Sequence, residues 1–155
     1  MPVNIAIYMH ITVNGMIARL DNSDFSSESA KMDFLKTMKK YKVNVIGRNT
    51  FNVASKSSSF PLEGLNIVVT KHNIKLKKEW KNVIVTDKKP KEIIRIIKEK
   101  GYSSAMVAGG ALATSFLTPR ISMHICLAFI TTKTPFASTF SFIKSAISFV
   151  SLSCT

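Results

Sequence analysis

Glycine directly after a short apolar run recurs along this chain, and the residues beside it are of kinds that hold anions. Val45-Ile46-Gly47-Arg48-Asn49-Thr50-Phe51 reads as a strand, a glycine and then a helix start. A helix start presents unpaired backbone N–H groups, and Arg48 adds a planar cation, so the spot suits a phosphate ester, with Thr50 as helix cap or as a second donor. Ala105-Met106-Val107-Ala108-Gly109-Gly110-Ala111 repeats the pattern before a helical stretch through Phe116. Paired glycines let backbone approach a pyrophosphate closely, and the helix dipole favours its charge. The same glycines would serve an ordinary turn equally well.

Two further segments have the same placement. Ile11-Thr12-Val13-Asn14-Gly15-Met16-Ile17-Ala18 follows the opening strand, and Asn14-Gly15 is a turn pair because both residues tolerate positive φ. Gly15 could admit a flat ligand at the carboxyl edge of a sheet, or simply turn a loop. Val68-Val69-Thr70-Lys71 brings a hydroxyl and an ammonium to a strand end, in reach of a ribose and a phosphate on it, or leaves them as exposed loop residues.

These segments need a scaffold that lines up strand ends. Apolar runs at Val3 to Met9, Val43 to Ile46, Leu65 to Val69, Val83 to Val85 and Ala105 to Val107 are too short for helices and rich in β-branched residues. They suit strands buried on both faces of a mostly parallel sheet. Between them, Ser26 or Ser27 caps a helix with Glu28 in its first turn and Lys39 and Lys40 in its last, Met32, Leu35 and Met38 recurring at a spacing of three. A second helix opens at Pro90 and Glu92, carries Ile93, Ile94, Ile96 and Ile97, and stops at Gly101. Strands alternating with helices predict a three-layer αβα domain.

Composition narrows the function classes. The 155 residues are 46% hydrophobic, enough for one domain with an ordinary core. A net charge of +13 invites a polyanion reading, but the lysines cluster at helix ends and loops without interleaved aromatic residues, which argues against a nucleic-acid surface and for attraction of phosphorylated small molecules. Cys126 and Cys154 show no metal-ligand spacing, and His10, His72 and His124 are scattered, so no metal site is expected. With no basic leader ahead of an apolar stretch and no apolar run near the roughly 20 residues of a spanning helix, a cytoplasmic protein without membrane association is expected.

Taken in order, Thr12-Val13-Asn14-Gly15-Met16-Ile17-Ala18, Gly47-Arg48-Asn49-Thr50, Val68-Val69-Thr70 and Gly109-Gly110 resemble the dihydrofolate-reductase-like family, specifically the pyrimidine reductase domain of riboflavin biosynthesis. The resemblance implies the αβα fold of that family and NADPH as cofactor, held by Gly47, Arg48, Thr50, Thr70, Gly109 and Gly110, with Lys71 beside them. Thr12, Asn14 and Gly15 would lie near nicotinamide and substrate. It further implies hydride transfer to a phosphorylated ribosylaminopyrimidine, as in a 5-amino-6-(5-phosphoribosylamino)uracil reductase, and a homodimer. Asn14 stands where the family commonly has aspartate, and no general acid is identifiable.

Beyond Leu117 the chain departs from that family. Thr118-Pro119-Arg120 replaces an Asp-Glu pair, no acidic residue follows Glu99 and no glycine follows Gly110. Residues 1–117 therefore read as the reductase-like domain and 118–155 as a divergent, altered or frame-shifted segment, with Cys126 to Ile130 and Ala146 to Val150 as strands at the sheet edge. The departure keeps two rivals open beside the enzyme: a pterin-reducing relative, and a nucleotide-binding protein impaired in catalysis. A basic nucleic-acid-binding domain is a third.

Overall fold

The computed structural model describes residues 3–12, 27–117 and 123–130, with backbone alone for 11, 12 and 123–130. The expected Ala146 to Val150 strand lies outside the described residues. The elements run β1 (Asn4–Thr12), α1 (Glu28–Lys40), β2 (Val43–Gly47), α2 (Arg48–Ala54), β3 (Leu65–Val69), β4 (Val83–Thr86), α3 (Pro90–Glu99), β5 (Ser104–Ala108), α4 (Gly110–Leu117) and β6 (Met123–Ile130). Each apolar run forms a strand, β1 running three residues past its expected end. Cys126 to Ile130 forms the latter part of β6.

The strands make a six-stranded sheet in the order β4-β3-β2-β5-β1-β6, and every pairing is parallel. Parallel neighbours need crossovers, and right-handed crossovers put connections that travel in opposite directions on opposite faces. From β1 to β2 to β3 the chain moves toward the β4 edge, and from β4 to β5 to β6 it moves back. Accordingly α1 and α2 share one face, where Met38 and Phe51 join Ile46, Val68, Tyr8 and Met106. On the other, α3 and α4 bury Ile93, Ile97, Ala113 and Phe116 against Ile7, Val45 and their neighbours.

The helices start and stop where side chains meet backbone needs. Ser27 Oγ accepts from Ala30 N–H at 3.2 Å to cap α1, with Glu28 in the first turn and Lys39 and Lys40 in the last. At α3, Pro90 occupies the first turn, Glu92 Oε2 accepts from Lys89 N–H at 3.2 Å, and Gly101 leaves the helix at φ +81°. One expectation on α1 fails. Met32 is 54% exposed while Met38 is buried. At about 100° per residue, two successive steps of three drift by roughly 120°, so Met32 leaves the face that Phe34, Leu35 and Met38 share.

The α1/α2 face also carries two buried amides. Asn44 and Asn66 are register partners on β2 and β3, 1% and 0% exposed. Asn66 Nδ2 donates to the Leu62 and Gly64 carbonyls at 2.8 and 3.3 Å, whereas both amide atoms of Asn44 lack a partner. A buried amide without hydrogen bonds costs about 1–3 kcal/mol. Replacing Asn44→Leu should therefore raise the unfolding free energy by about that amount in a urea titration. A loss of stability would show that the amide is hydrogen-bonded in solution.

Candidate functional site

Open parallel sheets bind ligands outside the carboxyl ends of their strands, at the point where successive connections leave in opposite directions. Here that point lies between β2 and β5. The chain leaves β2 through α2 toward β3, on one face, and leaves β5 through α4 toward β6, on the other. Ile46 pairs with Ala108, so Gly47 and Gly109 emerge side by side.

Gly109 is required there by its backbone, whereas at Gly47 an added Cβ would make only an ordinary contact. Gly109 has φ +110°, and a Cβ on it would sit 2.9 Å from Thr50 Oγ1 and 3.8 Å from Gly47 N. Its carbonyl accepts the first α4 bond, from Ala113 N–H at 2.8 Å. Gly47 precedes α2 with no side-chain cap, and a Cβ on it would lie 3.7 Å from Leu112 Cβ. Bare backbone therefore lines the crevice on both sides. The expected cap role of Thr50 is not what the structure shows: Thr50 is the third residue of α2 and its hydroxyl abuts Gly109.

The remaining expected residues flank this junction. Arg48 opens α2, is exposed, and has no ion-pair partner among the described residues. Gly110 begins α4. Because Gly47 pairs with Val69, Thr70 emerges one strand away, its N–H bonded to the Thr86 carbonyl at 2.8 Å and its Oγ1 accepting from His72 N–H at 3.1 Å. Lys71 beside it is exposed. Thr12 ends β1 on the far side of β5, opposite Ile130, while Asn14 and Gly15 lie outside the described residues. The tips of β3, β2 and β5 thus form one row, about 10 Å across at the usual strand spacing, while β1 runs four residues past Tyr8, its partner to Ala108.

Three features beside this row were not legible beforehand. Tyr8, level with Ala108, is 4% exposed and donates from its hydroxyl to Asp33 Oδ2 at 2.8 Å, bringing a carboxylate of α1 to the carboxyl half of β1. His10 and Phe34 pack on the Tyr8 ring at centroid distances of 5.3 and 5.2 Å. Below them lies a cleft of about 250 Å³ between α1 and α2, walled by Phe34, Met38, Ile46, Val53, Ala54 and Phe60, with Thr50 also lining it. Thr50 therefore belongs both to the glycine junction and to the cleft. The available signal was the Phe34-to-Met38 spacing of four; nothing local marks Tyr8 and Asp33, which are 25 residues apart.

No protein-family profile matches the chain, and no curated protein matches it. Solved structures do. Dihydrofolate reductase of Schistosoma mansoni superposes with a TM-score of 0.71 at 17% identity, over 86% of this chain and 77% of that one. A putative riboflavin biosynthesis protein from Shewanella sp. PV-4 gives 0.62 at 19%, over 87% and 86%. A diaminohydroxyphosphoribosylaminopyrimidine deaminase/5-amino-6-(5-phosphoribosylamino)uracil reductase from Thermotoga maritima gives 0.65 at 17%, over 88% of this chain and 46% of that one. The chain has the dihydrofolate-reductase-like fold. It spans less than half of the Thermotoga protein. Identity this low establishes the path of the backbone, and the site must carry the rest of the argument.

Within the dihydrofolate-reductase-like fold of this chain, the Gly109 contact makes a direct test. Gly109→Ala should destabilise the protein by about 1–3 kcal/mol through backbone strain plus the Thr50 clash. Adding Thr50→Ala should recover only part of that loss, because the positive φ remains. Full recovery in chemical denaturation would mean that sterics alone require the glycine.

Proposed function

We propose that this protein is an NADPH-dependent reductase that reduces a carbon–nitrogen double bond, or its ring-closed sugar equivalent, in a nitrogen heterocycle. The observation that carries the reading is the meeting of Gly47 and Gly109 at the strand reversal, with Thr50 against Gly109 and Arg48 next to Gly47. With no side chain at either glycine, the backbones of the two strand tips approach each other closely, so the residues present fit a pyrophosphate lying across them. The N-terminal N–H groups of α4 complete an anion-favouring field.

Gly47, Gly109 and Gly110 would hold the pyrophosphate, and Arg48, Thr70 and Lys71 the adenosine ribose with its phosphate. Thr12, Asn14 and Gly15 would face the nicotinamide and the acceptor ring. Bound NADPH supplies the hydride equivalent for the reduction. The chain's own contribution is positioning and exclusion of water, for which a fixed row of strand tips is well suited. Residues 1–117 would form the reductase unit, working in the cytoplasm as a homodimer on a small-molecule substrate, with 118–155 closing the sheet edge. The riboflavin-type acceptor is a phosphorylated ribosylaminopyrimidine, and a pterin is the alternative within the same chemistry.

NADPH emission on titration tests the reading first. Saturable binding is expected, and Arg48→Ala should weaken NADPH by about tenfold more than NADH if the guanidinium meets the extra phosphate. Equal losses would move Arg48 to the pyrophosphate. No binding of either dinucleotide by the folded wild-type chain would end the proposal.

A further inference from the structure

Among the described residues, β4 pairs with β3 alone and stands at the rim of the sheet, with Ile84, Val85 and Thr86 half-buried. In a parallel ladder one residue turns both backbone groups to a neighbouring strand and the next turns both away. Asn66 and Thr70 donate their N–H groups to the Asn82 and Thr86 carbonyls, each at 2.8 Å, so the groups of Ile84 also face β3. Val83 and Val85 therefore face outward. Val83 N–H donates to the Trp80 carbonyl at 3.4 Å, which leaves the Val83 carbonyl and both groups of Val85 without a backbone partner among the described residues.

Sheet edges are usually blunted by a charge, a proline or a bulge within the strand. Val83–Thr86 has none of these, and its register with β3 runs without a break. The charges lie at its ends instead. Residues 71–92 hold eight lysines against Glu79, Asp87 and Glu92, and all eight are exposed. Lys77 lies 5.2 Å over the Trp80 ring and Lys88 is 3.7 Å from Glu92. Lys78 and Lys81 before the strand, and Lys89 and Lys91 after it, have no ion pair among the described residues.

The chemistry of this edge separates its possible partners. A second copy pairing antiparallel would set Lys78 and Lys81 of one chain beside Lys89 and Lys91 of the other, which like-charge repulsion disfavours. Neither a phosphodiester backbone nor a lipid surface offers donors and acceptors in a row at strand spacing. An extended polypeptide offers both, and carboxylates at its two ends would meet the lysines. Ile84 packs on the α3 side and Val85 on the Phe51 and Trp80 side, so apolar residues in the middle of an incoming strand would continue both faces. This chain has no acidic residue after Glu99, so its own later residues do not supply such a segment.

We infer that β4 docks an extended acidic segment of another protein, apolar along the length of β4 and bearing carboxylates at each end, as a further strand of the sheet.

Fluorescence anisotropy of a labelled, end-blocked peptide, Asp-Glu-Val-Thr-Val-Thr-Val-Glu-Asp, on the full chain tests this. Saturable binding is expected, and a counterpart with lysines at its ends should not bind. Lys78→Glu combined with Lys81→Glu should weaken the acidic peptide by about tenfold, less at high salt. Val85→Pro removes an outward N–H while keeping charge and every bond to β3, and should also weaken binding by about tenfold. On the wild-type chain, methylating alternate backbone nitrogens of the peptide should abolish binding for one set and spare the other. Equal effects of the two sets, or full binding by a folded Val85→Pro chain, would reduce the contact to charge alone and overturn strand addition. So would no peptide binding by a wild-type chain that binds a mixed oligonucleotide or phosphatidylserine vesicles, or that forms dimers broken by Val85→Pro.

Discussion

The structure depends on two glycines passing each other where the sheet reverses. Chain leaving β2 and chain leaving β5 must begin helices on opposite faces within one strand spacing of each other, and Ile46 and Ala108 fix that spacing. Gly109 makes the turn at φ +110°, a region that L side chains rarely occupy, and does so against Thr50 Oγ1 and Gly47 N. Everything proposed at the carboxyl edge inherits this geometry. Arg48 stands next to the junction because α2 begins there, and the α4 N-terminus reaches it because Gly109 accepts the first bond of that helix.

The two faces of the sheet serve different ends. Against α3 and α4, Val43, Val45, Ile67 and Val107 meet Ile93, Ile97 and Phe116, and the layer is closed by aliphatic packing. Against α1 and α2 the layer contains buried amides and an unfilled cleft. Its rear wall is nevertheless fixed. Asn66 and Asn82 both donate to the Leu62 and Gly64 carbonyls, and a Cβ on Gly64, at φ +86°, would fall 2.2 Å from the Lys42 carbonyl oxygen. Phe51, Phe60 and Trp80 stack edge-on behind it. An opening framed this firmly is a preformed pocket rather than loose packing.

Much of this was legible in the residues, for identifiable reasons. Doubly buried parallel strands are short β-branched runs, so Leu65–Val69 is read with its observed bounds, and the capped helices announce their starts at Ser27 and Pro90. The Gly109 turn was legible because positive φ and close approach leave glycine little competition. What stayed hidden was set by tertiary geometry. The stripe on α1 was misread because spacing by three drifts around the helix, which put Met32 into solvent. Thr50 looked like a cap because threonine usually caps, whereas here it fills space beside Gly109. Tyr8 and Asp33 meet across an element boundary, and no local pattern records that meeting.

Charge is then distributed in a way that fits this division of labour. The chain carries +13 overall, yet the cleft lining has one described cation, already paired. Exposed lysines stand instead where the strands end: Lys71 follows β3, and Lys88 and Lys89 follow β4, on strand tips joined by the Thr70-to-Thr86 bond. A field set at that edge raises the local concentration of anions approaching the row of strand tips, and it is screened within about 8–10 Å at ordinary salt. It therefore acts on a ligand crossing the carboxyl edge, not on one already inside the α1/α2 cleft. The carboxyl edge and the cleft are thus separate surfaces with different electrostatic surroundings, and Thr50 belongs to both.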